Sequence, residues 1–214
     1  MASASGQAHA LEHGAAALGV PLDTGQRECL LAFLRLLERW NRAYNLTAVR
    51  DPVQMVARHL LDSLSIAPLL HGGTLLDVGS GAGPPGLVLA VARPHAQVTL
   101  LDPSLKRTRF LSHAVQELGL GNVSVVRARL EEHAPGGAVD NVTSRAALAL
   151  DRLAAQAPRL LAPGGRLVAM LGRAPPAGTL TMPPGWHLEL RPLRVPGVDG
   201  ARHAAIVCRQ DAPH

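Results

Sequence analysis

Three glycines within five residues, Gly79, Gly81 and Gly83, come directly after the short apolar run at residues 74–78. Glycine is costly inside helices and strands, and useful where the backbone must turn or approach another group closely. The segment therefore reads as a turn at the end of a strand. An apolar stretch at 85–92 follows it and reads as a buried helix. The alternation continues with apolar runs at 98–101, 123–126, 139–144 and 166–171, and helical periodicity at 105–118 and 148–160. Strands alternating with helices of this length predict an α/β chain whose mostly parallel sheet carries helices on both faces. Residues 186–195 and 203–209, about Val198-Asp199-Gly200, predict a C-terminal antiparallel hairpin that closes one edge.

Residues 1–72 carry no such strands. Asp23 and Thr24 can cap a helix, and Leu30, Phe33, Leu34, Leu37, Trp40 and Tyr44 recur at spacings of three and four. That is one apolar stripe of a helix running to about Asn45. Asp51 and Pro52 begin a second helical stretch towards Leu70, with an acid at the N-cap and proline at the first helical position. Gly72-Gly73 ends it. The expected organisation is a mobile or weakly helical lead-in over 1–22, a helical N-terminal cap over 23–72 and a sheet domain over 73–214.

Hydrophobic residues make up 47% and charged residues 17%, which excludes a disordered chain. Aromatics are only 2%, so leucine, valine and alanine must build the core. Residues 1–73 balance six arginines against six carboxylates, which leaves the whole +5 on residues 74–214. A basic segment of this kind fits a polyanion such as nucleic acid, although a GC-rich genome favours arginine equally well. Cys29 and Cys208 form no CxxC pair, so two free thiols in a reducing compartment are expected. The N-terminus has no signal-peptide pattern, and the charge-free stretches are broken by Gly and Pro. A cytoplasmic protein away from membranes is expected. No heptad demands a multimer, so a monomer is expected too. His9 and His13 have helical spacing but no third ligand nearby, and no metal site is expected.

In a doubly wound sheet, ligands bind beyond the carboxyl ends of the strands, where the glycine loop lies. Gly81-Ala82-Gly83-Pro84-Pro85-Gly86 also fits the dinucleotide pattern G-x-G-x-x-G, so a nicotinamide or flavin site is one reading. Three features favour S-adenosylmethionine instead. Asp77 places a carboxylate where an amino-acid ammonium group could be held. Pro84-Pro85 removes two backbone donors from a helix start that pyrophosphate would need. Residues 161–167, Leu-Ala-Pro-Gly-Gly-Arg-Leu, resemble the turn before the fifth strand of Rossmann-like methyltransferases. Asp102, at the end of the second strand, can accept both hydroxyls of a ribose in either cofactor.

Trp40-Asn41 with Tyr44-Asn45-Leu46-Thr47-Ala48, then Arg58-His59-Leu60-Leu61-Asp62-Ser63, the glycine loop, and Ser144-Arg145-Ala146 resemble the GidB/RsmG family of bacterial rRNA methyltransferases. The resemblance runs from about Asp23 to Val207. It implies a Rossmann-like class I S-adenosylmethionine-dependent methyltransferase with a helical N-terminal extension. The implied target is ring nitrogen 7 of guanine 527 in 16S rRNA, reached on the rRNA or the small ribosomal subunit. The family's cofactor contacts would fall on Gly79, Pro84, Leu130, Glu131 and Arg145. Leu130 could lie against adenine while the backbone of Leu130 and Glu131 reads its edge. Arg145 would organise the methionine carboxylate or the substrate. The chain departs from the family at three places: Leu171 stands before Gly172 where a lysine is usual, with Arg173 following; Ala147 stands where a phenylalanine often does; and Pro84 replaces a leucine.

The missing residues agree with this chemistry. Neither cysteine sits in the setting that attack through cytosine C5 requires, and no Asn-Pro-Pro-aromatic segment follows the fourth strand to hold an exocyclic amine. Nitrogen 7 of guanine has a free lone pair, so no acid or base residue is expected and positioning carries the catalysis. Arg107, Arg109, Arg127 and Arg129 are candidates for a phosphate-binding surface. Trp40 and Tyr44 could stack on a splayed base, but their spacing favours packing in the core. His59 and Asp62, one turn apart, are expected to bond to each other and join the cap to the sheet. Two other readings remain open from sequence: a methyltransferase for small molecules or proteins, and a cofactor-binding RNA module without turnover.

Overall fold

Seven strands form one sheet in the order β3-β2-β1-β4-β5-β7-β6 in the computed structural model, which describes residues 4–133, 136–145, 149–176 and 180–210. The strands are β1 Thr74–Val78, β2 Gln97–Leu101, β3 Val123–Val126, β4 Val139–Arg145, β5 Leu161–Leu171, β6 Trp186–Leu193 and β7 Arg202–Arg209. The first five run parallel, while β7 pairs antiparallel with both β5 and β6. This is the expected sheet with its C-terminal hairpin. The strand order reverses direction between β1 and β4, so the carboxyl end of that pair is the switch point of the sheet.

Helices α5 Gly86–Ala92 and α6 Leu105–Glu117 join the cap on one face of the sheet. There Leu87, Leu89, Phe110 and Leu111 share a core with Leu30 and Phe33. Helix α7 Leu150–Leu160 covers the other face, where Leu153, Ala154 and Ala157 meet Leu76, Val142 and Leu167.

The cap follows its sequence signals closely. Helix α2 Thr24–Tyr44 begins with a capping box in which Asp23 and Gln26 each bond the other's backbone N–H, at 2.8 and 2.9 Å. Asn45 ends it in the left-handed conformation (φ 47°). The next helical stretch is not uniform. Short helices α3 Pro52–Met55 and α4 Asp62–Leu64 flank a widened π-helical turn, Val56–Leu61.

Two expectations need correction. The lead-in forms helix α1 Ala4–Ala17, with Leu11 and Ala15 buried in the core. Gly14 lets Leu61 fit so close that a Cβ there would overlap it, and Gln7 bonds the Pro52 carbonyl at 3.0 Å. Small residues hid this helix because they produce little contrast between its faces. Tyr44, read as part of the apolar stripe, is 46% exposed and stacks on the half-buried Trp40 at 5.1 Å. Among the described residues no helix is long and apolar enough to cross a membrane.

Candidate active site

The glycine loop leaves β1 with Gly79 at φ 71°, Gly81 at φ 55° and Gly83 at φ 109°. These conformations favour glycine because a Cβ would clash with the chain's own backbone. Gly83 also receives the ring of Phe33, whose atoms would lie 3.1 Å from a Cβ at that position. Helix α2 thus supports the loop from behind. Gly86 lies against β1 and β2, where a Cβ would stand 2.5 Å from both Asp77 Oδ2 and Leu100 Cδ2.

A cleft of about 410 Å³ opens in front of the loop. Gly79, Asp102, Leu130 and Glu131 all line it, so four of the sequence-predicted cofactor residues meet there. Asp102 is fully buried beneath the half-exposed Arg107. Its Oδ2 accepts from Gly81 N at 2.9 Å and its Oδ1 from Ser104 N at 2.8 Å. A carboxylate has about four acceptor positions; Oδ1 keeps one free, and the second position of Oδ2 is taken by Arg107 Nη1 at 3.4 Å. Leu130 is buried and presents an apolar surface, while its carbonyl accepts from Arg159 at 2.9 Å. Glu131 pairs with Arg152 at 3.1 Å across the rim. Arg152 lines the cleft as well, and no sequence pattern marked it.

Other candidates lie elsewhere. Asp77 does not reach the cleft. It is completely buried, accepts from Gly86 N at 3.1 Å and from the Thr143 hydroxyl at 3.2 Å, and is a brace for the loop instead of a ligand for an ammonium group. Burial pushes its pKa up to about 6, against the hydrogen bonds from Ser80, Gly86 and Thr143. Pro84 is buried, and Gly81 and Gly83 shape the turn without lining the cleft. Arg107 caps Asp102 at 3.4 Å, which places it in the cofactor cleft and not on a separate phosphate surface. Arg109, Arg127 and Arg173 are exposed outside the cleft, and the exposed Arg129 lines its edge. Ala147 lies outside the described residues.

Arg145 belongs to a second cleft of about 400 Å³ between the cap and the ends of β4, β5 and β7. Val78 of β1 is in register with Ser144 of β4, so Gly79 and Arg145 follow side by side. Neighbouring strands lie about 5 Å apart, and the two clefts are therefore adjacent. Arg145 donates to the Arg58 carbonyl at 3.0 Å and faces Asp62 at 3.7 Å. Arg202, which sequence reasoning missed, faces the other Asp62 oxygen at 3.3 Å. The expected His59–Asp62 bond is absent. Asp62 joins the cap to the sheet through the two arginines, and His59 Nε2 meets the Thr47 hydroxyl at 3.1 Å. Thr47 was legible only as part of the N-terminal motif.

His59 is held to a pKa of about 4, first by burial and then by the charge of Arg145. The unfolded chain binds a proton there near pH 6.5 and the folded chain does not. Stability from this group is therefore complete above pH 6.5 and lost as the pH falls through 4, by at most about 3 kcal/mol. His59→Gln, which keeps an acceptor for Thr47, should flatten the acid limb of a melting-temperature profile over that window. Equal slopes in the two proteins would show that His59 protonates freely when folded.

Residues 26–204 match the GidB family, described as rRNA small subunit methyltransferase G. The chain is 51% identical over 195 residues to the ribosomal RNA small subunit methyltransferase G of Alkalilimnicola ehrlichii, covering 91% of this chain and 89% of that one. It is 48% identical over 202 residues to the protein of the same name from Marinobacter nauticus, covering 94% of each. Among solved structures it is similar to the putative methyltransferase yhhF from Escherichia coli (TM-score 0.54, 20% identity, 70% of this chain and 82% of that one). It is also similar to precorrin-6y C5,15-methyltransferase from Geobacter metallireducens (TM-score 0.54, 16% identity, 78% and 93%). At such identities the likeness shows the fold alone, which is that of class I methyltransferases.

Proposed function

The chain belongs to the GidB family, and from that membership and the two adjoining clefts we propose that it methylates ring nitrogen 7 of guanine 527 in 16S rRNA. The methyl donor is S-adenosylmethionine, and the target is the rRNA alone or within the small ribosomal subunit. The protein acts in the cytoplasm as a monomer.

The observation that carries this reading is the first cleft, where Gly79, Asp102 and Leu130 converge at the switch point of the sheet. Its residues fit an adenosyl group. Asp102 has acceptor positions left for two ribose hydroxyls, once the Arg107 guanidinium above it moves aside. Leu130 offers an apolar surface for adenine, and the positive-φ backbone at Gly79 lets a ligand lie directly on the chain. S-adenosylmethionine, when bound, supplies an electrophilic methyl on its sulfonium. The chain's own task is to hold the guanine lone pair in line with that methyl and to keep water out. No proton has to be removed, because the N7 lone pair is free in the neutral base. His59, one of two histidines lining the clefts, stays neutral near pH 7 and serves in the structure without proton transfer. Arg145 organises the boundary between cofactor and substrate.

Nucleoside analysis of small-subunit rRNA tests the assignment. Deleting the gene should remove one 7-methylguanosine, and the wild-type gene should restore it. An unchanged 7-methylguanosine content would reject it.

A further inference from the structure

Of the five buried side-chain polar atoms without an aligned hydrogen bond among the described residues, three belong to residues of the second cleft: His59 Nδ1, His203 Nδ1 and Asp62 Oδ1, the last held by the Arg202 charge alone at 3.3 Å. His59 and Asp62 are only 5% and 6% exposed. Buried polar atoms short of hydrogen bonds are costly, and the gathering of two bare imidazole nitrogens and a carboxylate oxygen with spare acceptor capacity in one cleft marks a site that a polar ligand completes. Met170, Leu171, Leu193 and Val49 supply apolar walls beside them. Such a combination suits a flat heteroaromatic ring whose edge carries the hydrogen bonds.

Resting on the reading of the chain as a guanine-N7 methyltransferase, we infer that the second cleft holds the flipped target guanine by its Watson–Crick edge, with Asp62 as the acceptor for N1–H and the 2-amino group. Guanine presents two adjacent donors on that edge. Adenine and cytosine would set a lone pair against the carboxylate, and uracil would set two carbonyls beside it. Burial raises the pKa of Asp62, and the charges of Arg145 and Arg202 beside it act in the opposite direction, in favour of the carboxylate. The two arginines also leave cationic N–H groups near enough to meet O6. Thr47 Oγ1 accepts from Val49 N at 3.1 Å and also shares a hydrogen bond with His59 Nε2 at 3.1 Å, which holds the imidazole in place. Its Nδ1 has no hydrogen bond within the protein and is left for the base.

The arrangement fits the chemistry. N7 lies on the opposite edge of a purine from N1 and the 2-amino group. A base gripped by those donors in the second cleft turns N7 outward, and the first cleft is one strand away. Methylation makes the ring cationic, and a carboxylate against N1–H favours that developing charge over the neutral base. Asp62 touches the reacting base and is on this reading a catalytic residue.

The test uses a 16S rRNA fragment carrying guanosine or inosine at the target position; inosine lacks only the 2-amino group. Wild-type kcat/KM should fall about tenfold or more for inosine, because a site built around that donor is left unpaired. Asp62→Asn should lower the guanosine rate by about a hundredfold and bring the two substrates close to parity. S-adenosylhomocysteine affinity should stay unchanged. Removing the carboxylate leaves two arginines unpaired and can unfold the chain, so Ala48→Trp provides a second route. Ala48 is exposed on the cleft rim, and tryptophan there should block it without touching the core. In fluorescence anisotropy without cofactor, wild type should bind the guanosine fragment more tightly than one abasic at the target, and Ala48→Trp should not distinguish them. If wild type methylates guanosine but a folded Asp62→Asn keeps its preference over inosine, or Ala48→Trp keeps its preference for the base, the pocket is wrong and the proposed function stands. If wild type methylates neither fragment nor the small subunit, the function itself is overturned.

Discussion

Asp102→Ala should weaken S-adenosylhomocysteine binding by about a hundredfold in titration calorimetry. Two charge-assisted bonds to ribose hydroxyls are worth about 3 kcal/mol together, which is two decades of affinity. A second effect adds to the first. Asp102 holds Gly81 N and Ser104 N, and so ties the glycine loop to the start of α6. Without it both donors turn to water, and the backbone at Gly79 is no longer fixed against the ligand. The same variant should fail to restore 7-methylguanosine to rRNA in a deletion strain. Wild-type affinity in a folded Asp102→Ala protein would show that the second-strand carboxylate does not hold the ribose.

The largest loss of stability is expected from Gly86→Ala. In an exposed helix this change would stabilise by up to about 1 kcal/mol. Here the added methyl meets Asp77 Oδ2, Asp77 Cβ and Leu100 Cδ2, all within 2.6 Å. Asp77 cannot retreat, because Thr143 and Gly86 N hold its carboxylate and the parallel strands hold its backbone. Overpacking of a fixed strand costs about 3 kcal/mol. For a chain of this size that lowers the melting temperature by about 6–10 °C. Cofactor affinity should fall with it, since Asp77 braces the loop. A variant that melts with the wild type would mean that α5 can lift off the sheet at no cost.

The sheet was legible because its strands are continuous apolar runs separated by glycine turns, and burial on both faces demands that pattern. The first cleft was legible for a related reason. A glycine loop and an acid at the next strand end are local marks of a site that the topology then assembles. The second cleft was not. Its parts come from the cap, β4, β5 and β7, and no spacing in the sequence links Asp62 with Arg145 and Arg202. Helical periodicity placed His59 and Asp62 on neighbouring turns, and pairing them followed naturally. The arginines won Asp62 because a buried carboxylate gains more from cations than from a neutral imidazole. Asp77 was misread for a similar reason: its position at a strand end was right, but its side chain turned towards the donors of the fold.

The widened turn at Val56–Leu61 sets the length of chain between the cap's last anchor and Asp62. Bonding from each carbonyl to the fifth residue onward, where an α-helix bonds to the fourth, accommodates one more residue than a regular helix would. It also leaves a carbonyl such as that of Arg58 able to accept from Arg145. Deleting a single residue from this turn would restore a regular helix while keeping every side chain of the second cleft. The helices on either side, Asp62 included, would stay in register, while the residues inside the turn, His59 among them, would shift about the helix axis. Two proteins with the same residues at this site, differing only by one position of length here, would not share its geometry.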